Sequence, residues 1–272
     1  MHDTFMQQKQ RAWAEQWIRF RNDTRWLFEE WIYPQKLTDF RGKDVLDCGC
    51  GGGEHLNLIA PYCRSAVGVD LNTAAMAQRN LAPHSHISVI DADIATMNLG
   101  KTFDIVYSIG VLHHTDHPER AFANIARHCK PRGRLIVWVY SYEGNLLNRT
   151  LLEFFKRTLL RSVKPKHLVP IAKFLTAFLY VPIYTLYLFT PRSLGEVGLP
   201  FYEYFGNFRK LPYRQNLLNV FDKLNAPQTA YIRRQELSEW FTRYGFTDIH
   251  ISCYRGVSYR GSGTKYDAPK DA

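Results

Sequence analysis

Short apolar runs alternate with segments of helical periodicity through much of this 272-residue chain. Apolar runs of strand length, separated by helical segments, are typical of buried parallel strands in a sheet covered on both faces. The alternation therefore predicts an α/β fold. The predicted strands are one ending at Leu46 and those over 65–72, 87–90, 103–108, 135–139 and 248–253. The predicted helices are one beginning near Glu54 and those over 118–128 and 234–244.

The first predicted strand runs into a glycine loop, Asp47-Cys48-Gly49-Cys50-Gly51-Gly52-Gly53. Glycines allow a sharp turn and close approach of a ligand, and the following helix N-terminus favours a negative ligand group. The dinucleotide pattern G-x-G-x-x-G fails here, because its third glycine would fall on Glu54. The alternative D-x-G-x-G-x-G fits at every fixed position.

Acidic residues end the next two predicted strands. Asp70 lies at about the distance past the loop at which a βαβ unit places a ribose-binding carboxylate. The third strand ends in Asp91-Ala92-Asp93-Ile94, and the fourth leads into Gly110-Val111-Leu112-His113-His114. The order of these segments indicates a site for a nucleoside-bearing ligand at one edge of the sheet.

The glycine loop, Asp70 and the succession FDIV…VLHH…KPRGRL resemble the motifs of class I S-adenosylmethionine (SAM) dependent methyltransferases, including small-molecule enzymes of quinone biosynthesis. The resemblance covers roughly residues 40–140 and 230–254. It implies a Rossmann-like fold with a seven-stranded, mostly parallel sheet, and methyl transfer from SAM with S-adenosylhomocysteine (SAH) as product. It also implies Asp70 at the ribose and Asp93 at the adenine amino group. The full implied cofactor-binding set is Asp47, Gly49, Cys50, Gly51, Asp70, Leu71, Asp93, Ile94 and Ser108.

His113 and His114 are the candidate catalytic residues. They follow the fourth strand, at the edge where open α/β sheets bind ligands, and a neutral imidazole suits a general base for an alcohol or phenol. In the alternative interpretation, one packs against the methionyl part and the other caps a turn. Quinone O-methyltransferases carry a metal-binding E-x-x-E-H pattern where this chain has Gly110, His113 and His114, so no metal is expected. The pair Cys48 and Cys50 lacks a second Cys/His cluster, which disfavours zinc.

The segment 1–40 shows apolar residues at helical steps and is predicted to be helical. Its apolar face either packs on the sheet or, as in similar enzymes, lies across the cofactor pocket. The face comprises Trp13, Trp17, Phe20, Leu27, Phe28 and Trp31.

The family pattern, predicted over a core of 41–140, is interrupted by a helical insertion at 141–228 and resumes over 229–254. Residues 141–214 hold eleven Lys/Arg and four Asp/Glu, and so carry seven of the net ten positive charges. Residues 151–161 predict a basic amphipathic helix, and the apolar run 168–189 approaches the length of a bilayer span. Lys173 and Pro182 argue against spanning. Burial within the insertion, a homodimer interface and insertion into one membrane face remain open.

The predicted function is methyl transfer to a hydrophobic or amphiphilic small molecule, including a lipid-like one, most simply at oxygen. Tyr140, Tyr142 and Arg209 are the candidate substrate-binding residues. One alternative is an RNA or tRNA methyltransferase, which the net charge permits; an appended RNA-binding module and an N-P-P-Y-type motif were not recognised. Another alternative is a SAM-binding scaffold without turnover.

Cysteine usage predicts a reducing compartment, because the five cysteines form no paired framework. With no signal segment recognised, a cytoplasmic location is expected, and the insertion leaves membrane association open. The final residues, 255–272, are rich in Gly, Ser and basic residues and are predicted to form a mobile tail.

Overall fold

The protein is described by a computed structural model that covers residues 25–155, 158, 163, 165–225 and 229–267. The predicted apolar positions Trp13, Trp17 and Phe20 lie outside this part. Two compact units are present. Of the described residues, the core unit comprises 25–142, 229–254 and 258–267, and the insertion unit comprises those within 143–225 together with Arg255–Val257.

The core unit contains a seven-stranded sheet of order β3-β2-β1-β4-β5-β7-β6. Neighbouring strands from β1 to β5 pair in parallel, and β7 is antiparallel to both β5 and β6. This confirms the predicted seven-stranded, mostly parallel Rossmann-like sheet. The strands are β1 Asp44–Cys48, β2 Ser65–Asp70, β3 Ile87–Asp91, β4 Phe103–Ile109, β5 Cys129–Tyr140, β6 Phe246–Tyr254 and β7 Ser258–Lys265.

Helices cover both faces of the sheet. Those preceding the insertion are α1 Arg25–Trp31, α2 Glu54–Ile59, α3 Ala74–Asn80 and α4 Pro118–Arg127. One hydrophobic cluster joins α1, α2 and α3 to the sheet through residues such as Phe28, Leu56 and Ala77. The second cluster joins α4, through Phe122, to the helix that follows the insertion. Because helices cover both faces of the sheet, the central parallel strands have nearly continuous apolar sequences, which is why the sequence predicts them.

The insertion unit is helical. A π-helical turn, Asn148–Leu152, continues into the single turn α5, Glu153–Phe155; much of the predicted amphipathic helix beyond it lies outside the described residues. The remaining helices are α6 Pro165–Tyr184, α7 Leu186–Phe189, α8 Arg192–Gly198, α9 Tyr202–Phe208 and α10 Tyr213–Asn225. Leu168, Ala172 and Ile183 of α6 share a buried cluster with Phe208 of α9 and Phe221 of α10.

The chain then re-enters the core unit through α11, Arg234–Arg243, and the antiparallel pair β6 and β7. The predicted mobile tail is wrong for residues 258–265, which form β7. A Cβ on Gly261 or on Gly263 would lie 2.9 Å from the ring of Phe241 in α11. The strand therefore uses glycine where the helix packs closest, and glycine-rich strands give a weak sequence signal.

Candidate functional site

The candidate site lies at the carboxyl ends of β1, β2 and β4. The chain moves from β1 outward to β3 and then returns to β4 on the other side of β1. This reversal creates the crevice in which open α/β sheets bind ligands. The loop after β1 begins at this crevice. It is held to the end of β2 because the backbone N–H groups of Gly49 and Cys50 donate to the carbonyl of Val69, at 2.7 and 3.1 Å.

Two glycines of this loop have different surroundings. Gly49 has φ +93°, and a Cβ there would lie 2.3 Å from Cγ2 of Val111. Gly51 has φ +54°, and a Cβ there would have no described atom within 4 Å. Gly49 thus serves close packing with the segment after β4, whereas Gly51 borders open space on the ligand side of the loop.

Asp70 ties the loop to the end of β2. Its Oδ2 accepts a hydrogen bond of 2.9 Å from the Gly51 N–H. The Thr73 hydroxyl lies 2.5 Å from Asp70 Oδ1 and 2.8 Å from the Gly51 carbonyl oxygen. Burial raises the pKa of Asp70, and the bonds from Thr73 and Gly51 oppose this shift. Each carboxylate oxygen retains a lone pair for a ribose hydroxyl, and the neighbouring Leu71 is half exposed.

Asp47 is completely buried beneath the loop. Tyr107 donates its hydroxyl to Asp47 Oδ2 over 2.9 Å, while Oδ1 has no hydrogen-bond partner among the described residues. Desolvation raises the pKa of Asp47 well above its usual range. A buried carboxylate oxygen without a partner is costly, and the ammonium group of a bound SAM would satisfy it. The residues present therefore fit this cofactor.

Other predicted cofactor residues occupy more constrained positions. Asp93 Oδ1 accepts the Ala95 N–H at 2.8 Å, so its carboxylate caps the turn after β3. Ile94 is buried in the apolar cluster that also contains Phe122. The Ser108 hydroxyl donates to the Cys48 carbonyl at 2.8 Å and is fully buried.

Cys50 packs inside the loop. A Cβ on Gly68 would lie 2.8 Å from Cys50 Sγ, so the thiol fills the space left by that glycine. Burial raises the pKa of Cys50 well above its usual range. This fits a small packing residue, and the described residues contain no cluster of three or more His, Cys, Asp or Glu side chains suited to a metal.

His113 and His114 lie in a short 3-10 turn, Leu112–His114, directly after β4. The ring centroids of His113 and Tyr140 are 4.2 Å apart, and those of His113 and Trp138 are 5.9 Å apart. His113 is buried, whereas His114 is partly exposed and lies 6.0 Å from the Tyr140 ring. The structure therefore brings both predicted histidines beside the predicted substrate residue Tyr140.

Aromatic residues from α1 and α2 extend this group, and the sequence patterns did not identify their role. Trp31 lies 5.4 Å from Trp138 and 5.9 Å from His55 by ring centroids. His55 in turn stacks on Phe28 at 4.5 Å. The helical periodicity of α1 indicated a packed face without showing what it contacts. We call the following connected rings the aromatic cluster: Phe28, Trp31, His55, His113, His114, Trp138, Tyr140 and Tyr231.

His55 predicts a measurable pH dependence. Burial lowers its pKa to about 4, against about 6.5 in an unfolded chain. As the pH falls below about 6.5, the unfolded chain takes up a proton at this histidine, whereas the folded protein does so only near pH 4. The free energy of unfolding therefore decreases as the pH falls from about 6.5 to about 4. Because the side chain is partly exposed, we expect the total loss in the free energy of unfolding to be about 1–3 kcal/mol.

The measurement is urea unfolding at neutral pH and at pH values between these limits. A His55→Phe variant keeps the aromatic stack but cannot titrate, so it should lose less stability than wild type across this window. His86→Gln, at an exposed histidine, is the matched control. An equal loss in wild type and His55→Phe would disprove the assignment.

The remaining two predicted substrate residues are separated between the units. Tyr142 lies in the core unit, with the Arg233 guanidinium 3.8 Å from its ring centroid. Arg209 follows α9 in the insertion unit, and its Nη1 is buried with no hydrogen-bond partner among the described residues. The role of each in substrate binding stays a prediction.

Residues 46–137 match a known family, described as a methyltransferase domain. Curated relatives include a tRNA U34 carboxymethyltransferase of Pseudoalteromonas translucida, 28% identical over 45% of this chain and 40% of that protein. They also include the mitochondrial ubiquinone biosynthesis O-methyltransferase of Schizosaccharomyces pombe, 29% identical over 52% of this chain and 54% of that protein. The chain thus spans about half or less of the length of these relatives.

Solved structures share the fold at low sequence identity. An O-methyltransferase family protein from Burkholderia thailandensis aligns with a TM-score of 0.54 and 12% identity, over 90% of this chain and 57% of that one. The N-methyltransferase NodS from Bradyrhizobium japonicum WM9, solved with SAH, aligns with a TM-score of 0.51 and 12% identity, over 92% of both chains. These structures show a shared fold. The family match over residues 46–137, together with the loop geometry, shows that this part of the chain is a class I SAM-dependent methyltransferase domain.

Proposed function

We propose that the protein transfers the methyl group of SAM to oxygen on a hydrophobic or amphiphilic small molecule. The observation that carries the proposal is the aromatic cluster beside the cofactor loop. Most of its rings come from α1, α2, β5 and the turn after β4, all in the core unit; Trp31, Trp138 and Tyr140 are among them. Aromatic side chains bind apolar and ring-containing ligands through large contact areas.

In this proposal the cofactor supplies an electrophilic methyl group on a positively charged sulfur. The chain's own residues bind and orient: Asp70 and the Gly51 N–H shape the ribose side, and the buried carboxyl group of Asp47 would accept a hydrogen bond from the cofactor's ammonium group. Transfer is an in-line displacement, so alignment of the acceptor with the methyl group provides much of the acceleration. The aromatic cluster would hold the acceptor and reduce the access of water.

A hydroxyl acceptor requires removal of its proton, and we assign this role to His114. It is partly exposed, whereas His113 is buried, so an acceptor reaches His114 more readily. We expect His114→Asn to lower kcat by about 10²- to 10⁴-fold, the usual range for loss of a general base. SAH affinity should stay within about twofold, which calorimetry measures.

His113→Asn is the comparison variant. Its main expected effect is on packing with Tyr140, measured as a loss of thermal stability. A wild-type pH–rate profile should fall at low pH, where the base is protonated, and this acidic limb should disappear in His114→Asn. Full activity of that variant would refute the assignment of the base.

The proposed reaction is tested with SAM carrying a labelled methyl group, the full-length protein and a cell extract. Label should pass into the organic phase on solvent extraction and resist mild base if an ether has formed. Label in the nucleic-acid fraction would replace this proposal with RNA methylation. SAM binding without transfer to any fraction would support the non-catalytic scaffold.

Transfer to tRNA is the second candidate, since some curated relatives are named tRNA carboxymethyltransferases and the chain has a net charge of +10. Binding through phosphate contacts would weaken steeply with salt, by a log–log slope of about −0.7 to −0.9 per neutralised phosphate. Tight binding of tRNA with such a slope, together with label transfer, would establish it.

A further inference from the structure

Helix α6 of the insertion unit exposes a line of large apolar side chains. Ile171, Phe174, Phe178 and Val181 recur at steps of three, four and three residues, and all are exposed. The exposed fractions of Phe174 and Phe178 are 70% and 62%, and their rings stack at 6.4 Å. We call these four residues the apolar stripe. Leu186, Leu188 and Phe189 of α7 are exposed directly after it.

The opposite face of α6 already has a partner. Leu168, Ala172 and Ile183 are completely buried in the cluster shared with α9 and α10. The helix is therefore apolar on both faces. Across His167–Phe189, which joins α6 to α7 and is long and apolar enough to cross a membrane, only 22% of the most hydrophobic stretch is buried within the described structure. A helix that is hydrophobic all round normally belongs in a protein core or a membrane. The described residues of the insertion unit thus leave the apolar stripe uncovered.

The contacts of α6 favour a partner on one side over a complete bilayer crossing. Its length, about 30 Å, would suffice for a span. However, α10 packs along it, and Asn216 Nδ2 donates to the Tyr180 hydroxyl over 2.8 Å. The neighbouring Arg214 is exposed. A crossing would carry these polar groups of α10 into hydrocarbon, at a cost of several kcal/mol.

Charge identifies the kind of surface that fits. Residues 154–195, which include the apolar stripe, contain seven Lys/Arg and no Asp or Glu. Lys173 is exposed beside Phe174 on α6 itself. Arg192 pairs with Glu196 and Glu203, so the relevant positive charge is that of Lys173 and of the basic sequence that precedes α6 in the chain. Basic sequence next to an exposed aromatic and aliphatic helix face is the signature of helices that lie in the interface of anionic membranes. A second copy of this chain would bring two equally basic segments together, which is unfavourable.

We propose that the apolar stripe docks on the surface of an anionic lipid bilayer, with α6 lying in the plane of the interface. The phenylalanine rings and Val181 enter the boundary between headgroups and acyl chains. The long side chain of Lys173 extends its ammonium group to the phosphate level. Docking does not depend on the proposed reaction and would hold even if the acceptor were water-soluble.

The test uses the full-length protein and vesicles of phosphatidylcholine, with and without about one third phosphatidylglycerol. Co-sedimentation should show binding to the anionic vesicles that is at least about tenfold tighter than to neutral ones and weakens with salt. The double variant Phe174→Asp/Phe178→Asp should lose at least tenfold in vesicle affinity. Tyr266→Asp, at an exposed aromatic of the core unit, should bind like wild type.

SAH binding separates a surface effect from misfolding, because the cofactor loop lies in the core unit. The double variant should retain wild-type SAH affinity and helical circular dichroism; Phe174→Ser/Phe178→Ser provides a milder pair if the aspartates unfold α6. Unchanged vesicle binding by either folded pair would overturn the proposal. So would a wild-type protein that ignores vesicles but is a dimer that the variants convert to monomer, since the partner would then be a second copy.

Discussion

Replacing Gly49 by alanine is expected to lower the free energy of unfolding by about 2–5 kcal/mol. The left-handed backbone at φ +93° costs an L-residue about 1–2 kcal/mol. The new Cβ would also lie 2.3 and 2.6 Å from the two γ-carbons of Val111, and overpacking of this kind costs about 1–3 kcal/mol. Urea unfolding at pH 7 measures the change as a shift of the midpoint.

Two comparisons distinguish the clash from the backbone strain. Gly42 also has a positive φ, +67°, but a Cβ there would meet no described atom within 4 Å. Gly42→Ala should therefore cost only the strain, about 1–2 kcal/mol. Adding Val111→Ala to Gly49→Ala should restore part of the lost stability, because it removes both clashing carbons. Equal costs for Gly42→Ala and Gly49→Ala, or no coupling in the double-mutant cycle, would contradict the packing described for the loop.

Replacing Asp70 by alanine is expected to weaken SAM and SAH binding at least tenfold. The variant loses a charged acceptor for the ribose hydroxyls, worth about 1.5–3 kcal/mol. It also releases the Gly51 N–H and the Thr73 hydroxyl from the positions that Asp70 holds, so the loop is less ordered before binding. Isothermal calorimetry with SAH measures the dissociation constant without requiring the acceptor.

Asp91 provides the matched control, because it is the β3 residue in register with Asp70 and its side chain is exposed. Asp91→Ala should bind SAH within about twofold of wild type. Asp70→Asn keeps a carbonyl acceptor for the Gly51 N–H and should lie between wild type and Asp70→Ala. An Asp70→Ala variant that folds normally and binds SAH with unchanged affinity would refute the placement of the cofactor site.

The parallel strands and the cofactor loop could be predicted because their signals are local. Strands β1, β2 and β4 are short and largely buried, and their apolar runs are bounded by polar residues within the chain itself. The loop from Asp47 to Gly53 needs positive φ angles and close backbone approach at fixed positions, and glycine at those positions allows both. Asp70 and the histidines after β4 follow at the spacing that the βαβ connections impose.

Three features escaped prediction because they depend on contacts between distant segments. Strand β7 was mistaken for a tail, since its glycines are explained only by the Phe241 ring packed against them. The hydrogen bonds of Asp47 and Asp70 depend on the approach of Tyr107 and of the Gly51 N–H, which lie farther along and farther back in the chain, respectively. The sequence left three interpretations of the apolar run in α6: burial within the insertion, a homodimer interface and insertion into one membrane face. Only the packing of α10 shows which face of the helix is covered.

The chain alone therefore determined the parallel strands and the methyl-donor loop, because both are specified by residue type over a few neighbouring positions. Packing decided which aromatic side chains meet beside that loop, since Phe28, Trp31, His55 and Trp138 are brought together only when α1, α2 and β5 pack. It also decided which half of the hydrophobic helix α6 is buried and which is exposed. A periodic pattern identifies a face that needs a partner, whereas only the folded arrangement shows whether the protein supplies it.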